Sequence, residues 1–100
     1  MIRGTTPTHI FTIPFEVEVV EKVRIIYAQR GAVKFVKTEA DCTMEGKTIT
    51  AQLTQEDTLS LVDGSCVDIQ VRVLTTDGEA FASQPMKATV CACLEEEVLS

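Results

Sequence analysis

Thirty-two of the 100 residues branch at Cβ: twelve Val, seven Ile and thirteen Thr, against eight Ala and six Leu. Branching at Cβ stiffens χ1 and crowds the preceding turn of a helix, whereas the same side chains pack well on a pleated surface. The bias predicts an all-β chain before any periodicity is consulted. At 100 residues there is room for one domain with one core. The balance of 45% apolar to 24% charged residues is that of a globular chain rather than a disordered one.

Alternation places the strands. Over residues 8–15, Phe11, Ile13 and Phe15 share a face, and Pro14 suits a strand end or edge. Residues 23–29 put Val23, Ile25 and Tyr27 together, with Ile26 breaking the polar side. Arg30 and Gly31 form a turn, and residues 32–37 follow with Val33 and Phe35 on one face. A short piece around Cys42 leads into Glu45-Gly46-Lys47, a hairpin signal. Ile49, Ala51 and Leu53 alternate with polar residues, and residues 67–73 set Val and Ile against Asp68, Gln70 and Arg72. Asp77-Gly78 has the form of a tight hairpin with positive φ at both residues. A last strand spans residues 79–91 and carries Pro85, which implies an edge position or a bulge.

Two stretches read as helical turns. One lies at residues 16–21. The other starts at Thr54, where Asp57 three residues on completes a capping box and the turn crosses from one sheet to the other. Leu59 and Leu61 then plug the end of the core. About seven strands with turns between them predict an immunoglobulin-like antiparallel β-sandwich with one or two short helical turns. Its expected core holds Phe11, Ile13, Val23, Ile25, Phe35, Ile49, Leu53, Ile69, Val71 and Val73. Residues 1–94 form the single sandwich domain, and residues 95–100 an acidic tail, frayed and solvated around Glu95, Glu96 and Glu97.

The formal net charge of −6 is unevenly spread. Residues 1–37 carry six basic and three acidic side chains, a balance of +3; residues 38–100 carry three basic and twelve acidic, a balance of −9. A chain this acidic lacks the concentrated cationic surface that phosphate contacts need, and its four Phe are spaced as core residues rather than as stacking platforms. No nucleic-acid partner is expected. Neither is a membrane, since no apolar run approaches the ~20 residues of a spanning helix.

Chemistry-bearing residues are sparse. His9 is the only His, and no nucleophile elbow, zinc-protease helix or phosphate-cradling loop occurs. Glu16 and Glu18 read as a solvated face and Tyr27 as a core or boundary residue. The chain is therefore expected to be neither an enzyme nor a cofactor carrier. Cys42, Cys66, Cys91 and Cys93 allow three readings: free thiols, a disulfide, or a four-thiolate zinc site without knuckle spacing. Residues 1–7 lack the apolar stretch of a secretory signal, which favours free thiols. Cys91 and Cys93, two apart, share a face if the last strand reaches them.

The order of residues 48–57 (TITAQLTQED), the strand at residues 67–73, Asp77-Gly78, Ser83-x-Pro85 and Val90 resembles the N-terminal β-sandwich domain of phage baseplate upper proteins and related virion modules. The opening residues 1–8 and the strand at residues 23–29 also look like small proteins encoded among prophage structural genes. The resemblance implies a non-enzymatic structural protein, made in the bacterial cytoplasm and carried into a tail, baseplate or other virion complex. It supplies no catalytic, cofactor or metal residues. A stand-alone immunoglobulin-like module that recognises a protein or carbohydrate is the alternative.

An open sandwich has edge strands, and the edges expected here are the first and last strands. The first has no charge between Thr8 and Phe15, so only His9 and Pro14 guard it. An unguarded strand is a template for strand addition. Thr8, Ile10, Thr12, Pro14 and Pro85 are therefore the candidate contact residues for a homo-oligomer or another virion protein.

Overall fold

The computed structural model describes residues 1–99. Two antiparallel sheets face each other across one core. The smaller holds β1 (Thr8–Thr12), β4 (Cys42–Glu45) and β5 (Thr48–Gln52) in the order β1-β5-β4. The larger holds β2 (Val20–Gln29), β3 (Ala32–Thr38), β6 (Cys66–Thr75), β7 (Ala80–Ala82) and β8 (Met86–Thr89). Its order is β3-β2-β6, with β7 and β8 both paired to the far side of β6. The chain changes sheets between β1 and β2, β3 and β4, and β5 and β6, so neighbours in sequence close the sandwich from alternate sides.

The predicted alternation carries the core. Val23, Ile25 and Tyr27 on β2, Ile49 and Ala51 on β5, and Val67, Ile69, Val71 and Val73 on β6 are all buried, and Phe11, Ile13, Leu53, Leu61 and Val90 complete the cluster. Phe35 is only half-buried, because β3 is an edge strand. Burying a large apolar side chain contributes about 1.5–3 kcal/mol, so this set is the main stabilising element of so small a domain.

Two of the three helical turns fall where expected; the third, a 3-10 turn at Glu39–Asp41 between β3 and β4, was not expected. Residues 17–19 form a 3-10 turn, and α1 (Gln55–Leu59) is one turn of helix between β5 and β6. Thr54 and Asp57 close a reciprocal capping box: the Asp57 N–H donates to Thr54 Oγ1 at 3.1 Å, and the Thr54 N–H donates to Asp57 Oδ2 at 2.8 Å. Leu61 is buried at the end of the core. Leu59 stays half-buried against Gly4, where φ is +81°.

Four local expectations need correction. Val33 and Phe35 do not share a face. Tyr27 pairs with Phe35 but Ala28 pairs with Val33, so Lys34 is bulged out and Val33 turns to the outer surface, 62% exposed. The hairpin at Asp77-Gly78 has three loop residues, since the Thr75 N–H donates to the Glu79 carbonyl at 2.9 Å; only Gly78 has positive φ, at +88°. The two-residue hairpin lies instead at Arg30-Gly31, where both φ values are positive, +52° and +78°. Strand β1 ends at Thr12, short of Phe15, and the last strand ends at Thr89, leaving Cys93 outside any strand.

The last strand is also broken in the middle. The Ser83 N–H donates to the Val71 carbonyl, and Ile69 pairs with Met86, so Gln84 and Pro85 both lie opposite Gln70. Pro85 has no N–H to offer the ladder, and the extra residue is accommodated as a bulge. Ser83 repairs the gap: its hydroxyl accepts the Val71 N–H at 3.0 Å, and its carbonyl accepts from the Gln70 side-chain amide at 2.9 Å. The edge position and the bulge inferred from Pro85 are both present.

Candidate functional site

Both expected edges are edges, and they lie together. Strand β1 ends the three-stranded sheet and the β7–β8 strand ends the five-stranded one. The rings of Phe15 and Phe81 meet edge to face across the gap, with centroids 5.9 Å apart. A cavity of about 170 Å³ opens beside them, lined by Ile10, Thr12, Val71, Ser83 and Met86 among others. Of the candidate contact residues, Ile10 and Thr12 line it, and Pro85 adjoins its Met86. Thr8 and Pro14 are exposed beyond the two ends of the groove.

The direction of the β1 backbone groups follows from the bonds at its ends. The Leu53 N–H donates to the Pro7 carbonyl and the Ile13 N–H donates to the Lys47 carbonyl, both at 2.9 Å. Antiparallel pairs alternate between bonded and non-bonded, so residues 7, 9, 11 and 13 turn their groups toward β5. Thr8, Ile10 and Thr12 therefore point their N–H and C=O groups away from it, and among the described residues nothing pairs with them. Pro14 falls on the same outward set, where a missing N–H costs no bond to β5. Ile10, 67% exposed, stands in the middle of this row, and Met86 across the groove is 40% exposed. Unpaired backbone with an exposed apolar side chain at its centre is suited to taking up another strand.

The single His belongs to the interior of the same strand. His9 Nδ1 lies 2.7 Å from the Tyr27 hydroxyl, and the two rings stack at 5.8 Å. Tyr27 stacks in turn on Phe35 at 4.5 Å. Burial lowers the His9 pKa below its usual 6.5 and raises that of Tyr27. In the neutral imidazole with its proton on Nε2, the tyrosine hydroxyl donates to Nδ1. The three rings form a bridge from β1 through β2 to β3, tying the two sheets together. No reading of single residues could pair His9 with Tyr27, because the contact crosses between sheets.

Next to that bridge, Lys37 and Asp57 form an ion pair at 2.5 Å. Lys37 sits opposite Ile25 on the inner face of β3, so its ammonium covers the edge of the core rather than facing water. Burial would raise the pKa of Asp57, but hydrogen bonds from Lys37 and from Thr54 outweigh it and hold the carboxyl below its usual range. Cys42 lies half-buried nearby, and burial raises its thiol pKa. Cys66 and Cys91 are exposed, and Cys93 is half-buried beyond β8.

The chain ends flank the far end of the sandwich. Residues 1–3 run parallel to residues 89–91: the Cys91 N–H donates to the Met1 carbonyl at 2.8 Å and the Arg3 N–H to the Cys91 carbonyl at 3.0 Å. They leave β1 uncovered. Among the described residues, no helix is long and apolar enough to cross a membrane. No family model matches this chain, and no curated protein or solved structure was found to be similar to it.

Proposed function

We propose that this chain is a non-enzymatic structural module of the phage or prophage kind, working by docking into a tail, baseplate or other virion complex. The observation that carries the docking part is the outward row of unpaired backbone on β1 at Thr8, Ile10 and Thr12, beside the Ile10–Met86 groove. The partner is a second copy or another virion protein that adds a strand to this edge. The virion setting comes from the resemblance of residues 48–90 to baseplate modules.

The strand orders favour the immunoglobulin-like part of the reading. Hairpins join β2 to β3, β4 to β5 and β6 to β7, and each intervening connection crosses between sheets, as in Greek-key sandwiches. The same feature is what favours a stand-alone binding module as a second reading.

A double substitution, Ile10→Lys with Thr12→Lys, tests the docking. Charge on an edge strand blocks strand addition without touching the core. The expected outcome is an intact β-sheet circular dichroism spectrum with loss of self-association, or loss of the partner recovered from producing cells. A wild-type chain that is strictly monomeric at high concentration and recovers no partner overturns the proposal. Tail, portal or holin genes beside the coding sequence support the virion setting; their absence favours the binding module.

A further inference from the structure

The outer face of the five-stranded sheet carries a cationic cluster in an otherwise acidic protein. Val23, Val73 and Phe81 face the core, so Lys22, Arg24, Arg72, Leu74 and Ala80 stand on the opposite side. Arg24 is the direct cross-strand partner of Arg72, and Lys22 that of Leu74. These three cations line a cavity of about 210 Å³ with Leu74, Ala80 and Phe81. Among the described residues the ion pairs are Arg3 with Glu96, Lys37 with Asp57 and Lys87 with Asp68, so no carboxylate pairs with Lys22, Arg24 or Arg72. Like charges directly opposite on paired strands repel. An anionic group seated between them would relieve that repulsion.

The complementary surface lies on the same chain. Glu95, Glu96 and Glu97 are the only run of consecutive acids longer than two, and exposed apolar residues flank them: Leu94, fully exposed, and Val98 and Leu99. The segment is held at two points. Glu96 pairs with Arg3, and the Gln55 amide bonds both the N–H and the carbonyl of Leu99, at 2.7 and 2.8 Å. Glu95 and Glu97 have no ion-pair partner among the described residues. A segment already fixed loses less conformational freedom on docking than a loose one.

Position excludes an internal contact and favours one between copies. Strand β6 runs from Cys66, beside the residues 89–91 that hold Met1 and Arg3, to Arg72 and Leu74 in the cationic cluster. Six steps along the strand separate Cys66 from Arg72, about 20 Å. The acidic segment and the cationic cluster thus sit toward opposite ends of a molecule 46 Å long. We propose that the cationic cluster on the outer face of the five-stranded sheet receives the acidic segment, residues 94–99, of a second copy, so that copies associate head to tail. A contact between two different surfaces propagates as a ring or a filament rather than closing as a two-fold dimer. The net charge of −6 disfavours a nucleic-acid occupant, which would need a far larger cationic surface.

This inference rests on the self-assembly part of the proposed function but uses a surface other than the β1 edge. Reciprocal charge reversal tests it. One full-length variant carries Arg24→Glu and Arg72→Glu; the other carries Glu95→Lys and Glu97→Lys. By analytical ultracentrifugation at low salt, at the lowest concentration where wild type associates and both contacts are needed, each variant alone does not associate, and an equimolar mixture of the two associates again. Raising the salt from roughly 50 to 500 mM weakens the association about tenfold or more. Recovery in the mixture shows that both variants fold. A variant that still associates alone, or a mixture that does not associate, overturns the head-to-tail contact. If Ile10→Lys with Thr12→Lys abolishes association while both charge variants retain it, the edge-docking reading stands and this one fails. The converse pattern retires the edge and keeps the charged contact.

Discussion

The two flanks of the sandwich are edges of the same sheets, yet they are finished differently. On one flank, β3 and β4 carry Lys34, Lys37 and Glu45, a bulge interrupts the ladder at Lys34, and the Lys37–Asp57 pair and the Tyr27–Phe35 stack seal the core. On the other, β1 and the β7–β8 strand carry no charge along the groove, and Ile10 and Met86 are exposed beside unpaired backbone. Charges and bulges are the usual means by which proteins blunt an edge. The β7–β8 edge is itself interrupted by the bulge at Gln84 and Pro85 and carries Lys87, so β1 is the edge with neither charge nor bulge, which is the ground for proposing it as the side that pairs.

The sealed flank should be the costly one to damage. Tyr27→Ala removes a fully buried ring from between His9 and Phe35 and is expected to cost about 3–5 kcal/mol, enough to leave much of the chain unfolded in urea titrations. Tyr27→Phe keeps the ring but leaves His9 Nδ1 without its partner, and should cost about 1 kcal/mol. A Tyr27→Ala protein as stable as wild type would mean that the bridge between sheets contributes little.

Lys37→Met keeps the apolar stem and removes the charge opposite Asp57, for an expected loss of about 1 kcal/mol at neutral pH. Because the carboxyl of Asp57 is held below its usual 3.8, the pair's contribution is complete above that pH and is lost as pH falls through the lowered value. Wild type and variant should therefore converge in acid. Parallel curves would show that the pair is not the source of the difference.

His9 gives a smaller effect near neutrality. Its folded pKa lies below 6.5, so the unfolded chain takes up its proton first. Stability is complete above about pH 6.5 and declines as pH falls toward the folded value. Melting temperatures of wild type and His9→Gln, compared between about pH 8 and pH 5, should show a steeper loss for wild type. Equal slopes would place the imidazole in a water-like setting.

The smallest change is a gain. Arg24→Thr removes the guanidinium facing Arg72 and should stabilise the isolated domain by about 0.5 kcal/mol. Destabilisation would mean that the stem of Arg24 packs to more effect than its charge repels.

How much of this was legible in the sequence depended on whether a residue's partner was local. The alternation at residues 67–73 and the capping box at Thr54 and Asp57 are set by their own periods and could be read directly. Pro85 announced a break in the last strand, since proline cannot donate to a ladder. Val33 faces out because the one-residue bulge at Lys34 puts the positions on its two sides out of phase, and bulges leave no signature in the alternation itself. Ser83, whose hydroxyl stands in for a missing ladder group, looked like any surface serine. That β1 is an uncharged strand with Thr8, Ile10 and Thr12 on one side could be read from the residues themselves. That Ile10 and Met86 share a groove, and that Lys37 turns inward, depend on how the sheets stack.

Amide hydrogen exchange along β1 tests the central claim most directly, because alternation makes a residue-by-residue forecast. In dilute protein, the amides of Thr8, Ile10 and Thr12 should exchange fast while those of Phe11 and Ile13 are protected through β5. On raising the concentration, or adding the partner, the three fast amides should become protected and Phe11 and Ile13 should be little changed. Fast exchange at Thr8, Ile10 and Thr12 in the associated state would show that the β1 edge is not where this protein docks.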